Sequence, residues 1–399
     1  MFKLSSGFIT QNNGDEKSQL LKVGQLTTLL SNQLGEDLKL NLLSGEPEYK
    51  KITLPTYFVD NFYIPLSEWG YEMRKTAATD ALMYAAGKNS FHPVVDDLER
   101  IEKDESIKPI ELDKVATNYL GTKDELYDAM FSVWLTALVA RAFNPGCKFD
   151  NCLVLQGAEG IRKSPFLKAL AGNKEWVCDS WQQQEQKLYM AIDQCWIYEL
   201  AELDHMTTKK DQGALKAMFS TATDTYAKPY ARGIGKFPRP SVFAATSNRF
   251  DFLSDPSASH RRYWIIPLTQ DPEKKEYLDA EKVKADRDAI LKAAIVEYRK
   301  GSNLYLPQEL QTKSNNRNRN FLAEHPFMDS LAEWVTSQYV FTTADALIGS
   351  GLREKVKEIS DYDLKKAAEC LQALGYEKDK HQTSGEAGKK RYWRKPEEA

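Results

Sequence analysis

The sequence predicts an α/β fold: a three-layer core around a parallel sheet, with a mixed, mainly helical region before it and a winged helix after it. Three observations carry this. NCLVLQG, CWIYEL and SVFAATSN are short apolar runs of the kind that form strands covered on both faces. Helical patterns separate these runs, and strands alternating with helices give parallel sheets. Beyond residue 327, three helical patterns precede two strand-like runs around a Ser-Gly-Glu-Ala-Gly turn.

Residues 1–122 mix helical patterns with polar turns such as NNGDEKS and LSGEPEYK, without repeats or low complexity. From Lys123, KDELYDAMFSVWLTALVARAF spaces its apolar residues at the helical period and stops at Asn144-Pro145-Gly146. The core unit is read as residues 123–310. Its first strand, NCLVLQG, leads into the helix IRKSPFLKALAG, where Pro165 falls near the first turn and its missing N–H costs little. The helix QGALKAMFSTA lies between the second and third strands. EYLDAEKVKADRDAILKAAIVEYRKG reads as a charged helix, and the polar run QTKSNNRNRN as a linker or exposed arm. Residues 327–399 form the last unit, with helices FMDSLAEWVTSQY, TTADALIG and SDYDLKKAAECLQALG and strands YEKDKHQ and KRYWRKP.

Composition narrows the class without naming a partner. The 54 basic and 57 acidic residues nearly balance, and 42% hydrophobic content excludes wholesale disorder. Five cysteines form no CxxC pair, which suits a reducing compartment and buried thiols. Five histidines lack ligand spacing, so a transition-metal site has little support. The N-terminus has no uninterrupted apolar segment, and MFSVWLTALVA is too short to span a bilayer. The expectation is a cytoplasmic protein, neither exported nor membrane-embedded.

GAEGIRKS, residues 157–164, nearly matches GxxxxGK[ST], with Arg162 at the last glycine position. Such loops curl backbone N–H groups around a phosphate, add the positive end of a helix, extend a lysine to the outer phosphates and hold Mg²⁺ with a hydroxyl. Gly157, Gly160, Lys163 and Ser164 fill those roles, and with Glu159, Ile161 and Arg162 they make up the candidate ATP site. A glycine-rich turn with a surface lysine is the plainer reading, but a strand before and a helix after favour the phosphate loop. Arg162 could crowd the phosphates, swing outward or pair with a phosphate oxygen; the sequence leaves this open.

CWIYELAELD ends an apolar strand with Glu199 and Glu202, where a nucleotide hydrolase needs one carboxylate near Mg²⁺ and another to orient the attacking water. Which takes which role stays open, and surface carboxylates after a core strand would look the same. Ser164 and Glu199 are the candidate metal ligands. Asn248, just past the strand SVFAATSN, could hold that water or the γ-phosphate, or be an ordinary turn residue. Arg261 and Arg262 enter an apolar strand and are candidates for an arginine finger acting across a subunit boundary; a surface salt bridge is the commoner use of such a pair.

DTYAKPYARGIGKFPRP interleaves Lys228, Arg232, Lys236 and Arg239 with Tyr226, Tyr230 and Phe237 around Gly233-Ile234-Gly235. It reads as a β-hairpin whose cations suit phosphates and whose rings suit base stacking, and Lys228, Tyr230, Arg232 and Lys236 are its candidate single-stranded DNA contacts. The tail concentrates Lys389, Lys390 and Arg391 among other cations, a footprint for a duplex backbone.

Together, NSFHPVVDDLERI, RAFNPGCKFDNCLVLQGAEGIRKS, YELAEL, TDTYAKPYARGIGKFPRPSVFAATSN and FLSDPSASHRRYWIIPL resemble the virulence-associated protein E family, phage and mobile-element replication ATPases related to superfamily III helicases of the AAA+ class. The resemblance covers residues 80–268. It implies an AAA+ P-loop core with Lys163 and Ser164 on ATP and Mg²⁺, Glu199 and Glu202 in the acidic motif, Asn248 as sensor and Arg261 or Arg262 as finger. It further implies a DNA-tracking hairpin, a homo-oligomeric, hexameric ring and a bacterial host cell. Arg162 and Pro165 depart from the general loop pattern. Related proteins are often fused to a primase, but residues 1–122 are short for one and show no pair of metal-binding aspartates, so a primase would be a separate chain. The expected function is an ATP-dependent DNA helicase or origin-remodelling ATPase acting on single- and double-stranded DNA. Its rivals are a non-catalytic origin-DNA-binding protein with a degraded nucleotide site and a small-molecule kinase, which explains neither hairpin nor tail.

Overall fold

Both faces of the strand Cys152–Gln156 (β1) are apolar, and both are covered. Leu153 and Leu155 enter one core cluster and Cys152 and Val154 another, as the two-residue period of a strand requires. In this computed structural model, residues 2–5, 9–10, 16–203, 209–227, 233–253, 260–322, 327–378, 383–385, 388–390 and 392–395 are described. The strands Val177–Cys178 (β2), Ile197–Leu200 (β3), Val242–Ser247 (β4) and Tyr263–Pro267 (β5) complete a parallel sheet in the order β5-β1-β4-β3-β2. The three apolar runs singled out in the sequence are β1, β3 and β4. β2 was missed because two residues carry no period.

Helices Glu125–Phe143 (α1), Lys163–Ala171 (α2) and Ala280–Arg299 (α4) cover one face, with Phe131, Trp134, Phe166 and Leu291 in its core. Helix Lys209–Ser220 (α3) covers the other through Leu215 and Phe219, joined by Phe252 and Phe321. Two buried indoles fix α1 to the sheet region: Trp134 Nε1 donates to Phe243 O and Trp196 Nε1 to Leu138 O, both at 2.8 Å. α1 starts where the Asp124 side chain accepts from Leu126 N and stops at Asn144, before Pro145. It is long and apolar enough to cross a bilayer by composition, yet 72% of its apolar window is buried within the fold.

The polar run expected as a linker is a helix. Gln308–Asn318 lacks an apolar stripe, so it has no helical signature in sequence. It is held by amides and charges: Asn318 Nδ2 donates to His260 O and Tyr263 O at 3.0 and 2.9 Å, and Arg317 pairs with Asp124 at 2.5 Å. Its clients are the residues leading into β5.

The N-terminal part has its own core, from Phe2 to Ala86, built on helices Val23–Leu34 and Lys75–Gly87. At the other end, helices Met328–Val335, Thr343–Gly349 and Asp361–Ala373 enclose a cluster with Trp393. A small sheet orders Val340–Phe341, Trp393–Arg394 and Glu377–Lys378, and Thr383–Gly385 pairs with Gly388–Lys390. The expected buried thiols are so at Cys152, Cys195 and Cys370, whereas Cys147 and Cys178 are half-buried.

Candidate nucleotide site and hairpin

Parallel strands bring their carboxyl ends to one edge of the sheet, and there the loop from Gly157 to Arg162 turns from β1 into α2. A Cβ at Gly157 would lie 2.9 Å from Ile161 Cδ1 and 3.0 Å from Leu268 Cβ. Gly157→Ala is therefore expected to destabilise the fold by about 1–3 kcal/mol through overpacking, measured by chemical denaturation. Gly160 has φ 80°. Arg162 has φ 71° and ψ 37°, a left-handed conformation that costs a residue with a Cβ about 1 kcal/mol. The last glycine position thus keeps a glycine's backbone under an arginine side chain. That side chain is exposed, and its guanidinium lies 4.5 Å from the centroid of the Tyr277 ring.

Lys163 is 7% exposed, and its ammonium donates to Gly157 O and Ala158 O at 2.8 Å and to Asn248 Oδ1 at 2.9 Å. These groups meet because Ser247 pairs with Gln156, so Asn248 and Gly157 leave neighbouring strands at one level. Glu159 is exposed beside them, whereas the Ile161 side chain is buried in the core under the loop.

Glu199, on β3, is 1% exposed; Ser164 Oγ donates to its Oε1 at 2.5 Å, and its Oε2 has no hydrogen-bond partner among the described residues. Burial pushes this carboxyl above the usual range, the Ser164 hydrogen bond opposes that, the Asp179 charge adds to it and Lys168 opposes it. The folded chain holds this proton to higher pH than the unfolded chain does. Stability is therefore lost as pH rises through that interval and regained on acidification. Glu199→Gln removes the penalty, so the ligand-free variant is expected to melt above the parent at neutral pH. The gap should close as pH falls towards 4.5, the ordinary glutamate value, in thermal scans across pH. A hydroxyl and a buried carboxylate with an unclaimed oxygen are hard donors suited to Mg²⁺.

Glu202 stands apart. It is exposed at φ 55°, just past the end of β3, with its N–H donating to Thr246 Oγ1 at 3.3 Å. Arg261 and Arg262 are not brought to the loop either: both lie near Asp150 Oδ2, at 3.6 and 3.4 Å, their side chains 56% and 22% exposed. Tyr263 pairs with Cys152 and Pro267 with Gln156, so the arginines sit one strand length, about 15 Å, from the loop of their own chain.

The expected hairpin is present, Thr223–Tyr226 antiparallel to Gly235–Pro238, with Lys236 exposed. Lys228, Tyr230 and Arg232 lie outside the described residues, as does Arg391; for Lys389 and Lys390 only the strand Gly388–Lys390 is described. Arg239 is no surface cation. It is buried, its Nε 2.5 Å from Asp224 Oδ2 and its Nη2 2.7 Å from Asp224 Oδ1, with Nη1 donating to Met218 O. Reasoning from sequence also missed Asp179, paired with Lys168 at 2.8 Å beside Glu199, and Tyr277, which no motif marks.

A sequence model of the virulence-associated protein E-like domain matches residues 99–323, more than half of the chain. The chain belongs to this family. The virulence-associated protein E-like domain thus includes β1 to β5, the loop, the hairpin and the arginine pair. Among solved structures, the A-form apo C-terminal region of NrS-1 is similar at 12% identity over 74% of this chain and 77% of that one, with a TM-score of 0.44. A second apo A-form structure of that region has 14% identity over 73% and 77%, with a TM-score of 0.40. No curated protein matches this sequence.

Proposed function

We propose that this member of the virulence-associated protein E-like family is an ATP-dependent DNA helicase or origin-remodelling ATPase of phage or mobile-element replication, with an AAA+ P-loop core. The observation that carries the reading is the convergence of the Lys163 ammonium, the Asn248 amide and the Ser164–Glu199 pair at the mouth of a loop on the carboxyl edge of a parallel sheet. In the bound state Lys163 would leave the carbonyls of Gly157 and Ala158 for the outer phosphates, and Asn248, released, would face the γ-phosphate or the attacking water. Mg²⁺, held by Ser164 and Glu199, would neutralise phosphate charge. Glu202, exposed past the end of β3, would orient the attacking water and leave the metal to Glu199. Arg261 or Arg262, too distant to serve the site of their own chain, would complete a neighbour's in a hexameric ring. Lys236 and the hairpin would grip single-stranded DNA. The three C-terminal helices and their small sheet suit a winged helix on duplex DNA, and priming would fall to a separate chain.

The test is DNA-stimulated ATP hydrolysis together with strand displacement on a forked substrate, and imaging of the protein with ATP and DNA. Turnover, unwinding and a closed ring support the motor. DNA binding without Lys163-dependent turnover would instead support a non-catalytic origin-binding protein.

A further inference from the structure

Arg162 is unused by the scheme above, although its backbone conformation is one that glycine adopts more cheaply. Its guanidinium makes no hydrogen bond or ion pair among the described residues; the contact it makes is with Tyr277. That ring is not there by accident of a floppy surface. The segment from Leu268 to Leu278 is bonded at one end to the last residue of β1, Leu268 N to Gln156 O at 2.7 Å, and at the other to the loop, Leu278 N to Ile161 O at 3.0 Å. Tyr277 therefore stays beside the crest of the loop, itself 37% exposed.

A guanidinium is planar. The Arg162 Cζ lies over the Tyr277 ring, so the ring backs one side of the group and the remaining surface, with its N–H donors, is open to whatever occupies the loop's surroundings. A flat, π-rich group with acceptor atoms on its edge matches that presentation, and in a nucleotide that group is the base. We propose that Arg162 and Tyr277 form the seat of the nucleotide base, the base stacking on the guanidinium that Tyr277 backs. This rests on the phosphate-loop reading and adds to it a source of preference for a nucleoside triphosphate over the bare polyphosphate.

The test compares ATP with inorganic tripolyphosphate, each with Mg²⁺, by calorimetric titration of the full chain. Arg162→Gly is a safe variant, since glycine suits the left-handed position; Tyr277→Ala and Tyr277→Phe accompany it. The wild type is expected to bind ATP about tenfold more tightly than tripolyphosphate. Arg162→Gly and Tyr277→Ala should lose most of that preference through weaker ATP binding, with tripolyphosphate affinity unchanged, and Tyr277→Phe should keep it. An unchanged preference in Arg162→Gly, or a parallel loss of both ligands, would overturn the seat. Equal wild-type affinity for both ligands also overturns the seat alone, whereas binding of neither removes the phosphate loop itself and the seat with it.

Discussion

Lys163→Ala is expected to lower ATP turnover by about 10²–10³-fold, the loss typical when one preorganised electrostatic contact to a developing charge is deleted. Its ammonium is the cation that joins the loop to the next strand, through Gly157 O, Ala158 O and Asn248 Oδ1. Two of those acceptors, on Ala158 and Asn248, belong to exposed residues and can take water in its place, so the fold should survive. Circular dichroism and a melting curve of the variant separate loss of chemistry from loss of structure. Steady-state hydrolysis with and without single-stranded DNA measures the effect, and turnover equal to that of the parent would remove Lys163 from the reaction.

Arg239→Ala is expected to destabilise the fold by about 3–5 kcal/mol, because it leaves the Asp224 carboxylate buried without its countercharge. The pair is dry, with side chains 0% and 1% exposed, and the guanidinium is also bonded to Met218 O of α3. Replacing both partners with apolar residues of similar volume should cost much less than the single change, since no charge is then stranded. Urea denaturation of the two single variants and the double variant measures this, and additivity of the single costs would refute it.

Much of this architecture was legible because β1, β3 and β4 are covered on both sides and so read as unbroken apolar runs. The loop was legible for a different reason: Gly157, Lys163 and Ser164 lie close together in sequence. What could not be read depends on contacts across the chain. Gln308–Asn318 is held by amide hydrogen bonds from Asn318, which leave no hydrophobic period. Arg239 looked like its neighbours Lys236 and Arg232, and only its pairing with Asp224 across the hairpin turns it inward. The fate of the Arg162 side chain was decided by Tyr277, whose position depends on a segment folding back from β5. Glu199 and Glu202 are three apart and chemically alike, so that only the end of β3 between them separates a buried carboxylate from an exposed one.

β4 has the hairpin base at its start, pinned by Arg239, and Asn248 at its finish, bonded to Lys163. It is laced to a partner strand along both flanks, so it can neither buckle nor slip a register without tearing many bonds at once. The base of the hairpin and the residue that holds the Lys163 ammonium are therefore the two ends of one short strand paired on both sides.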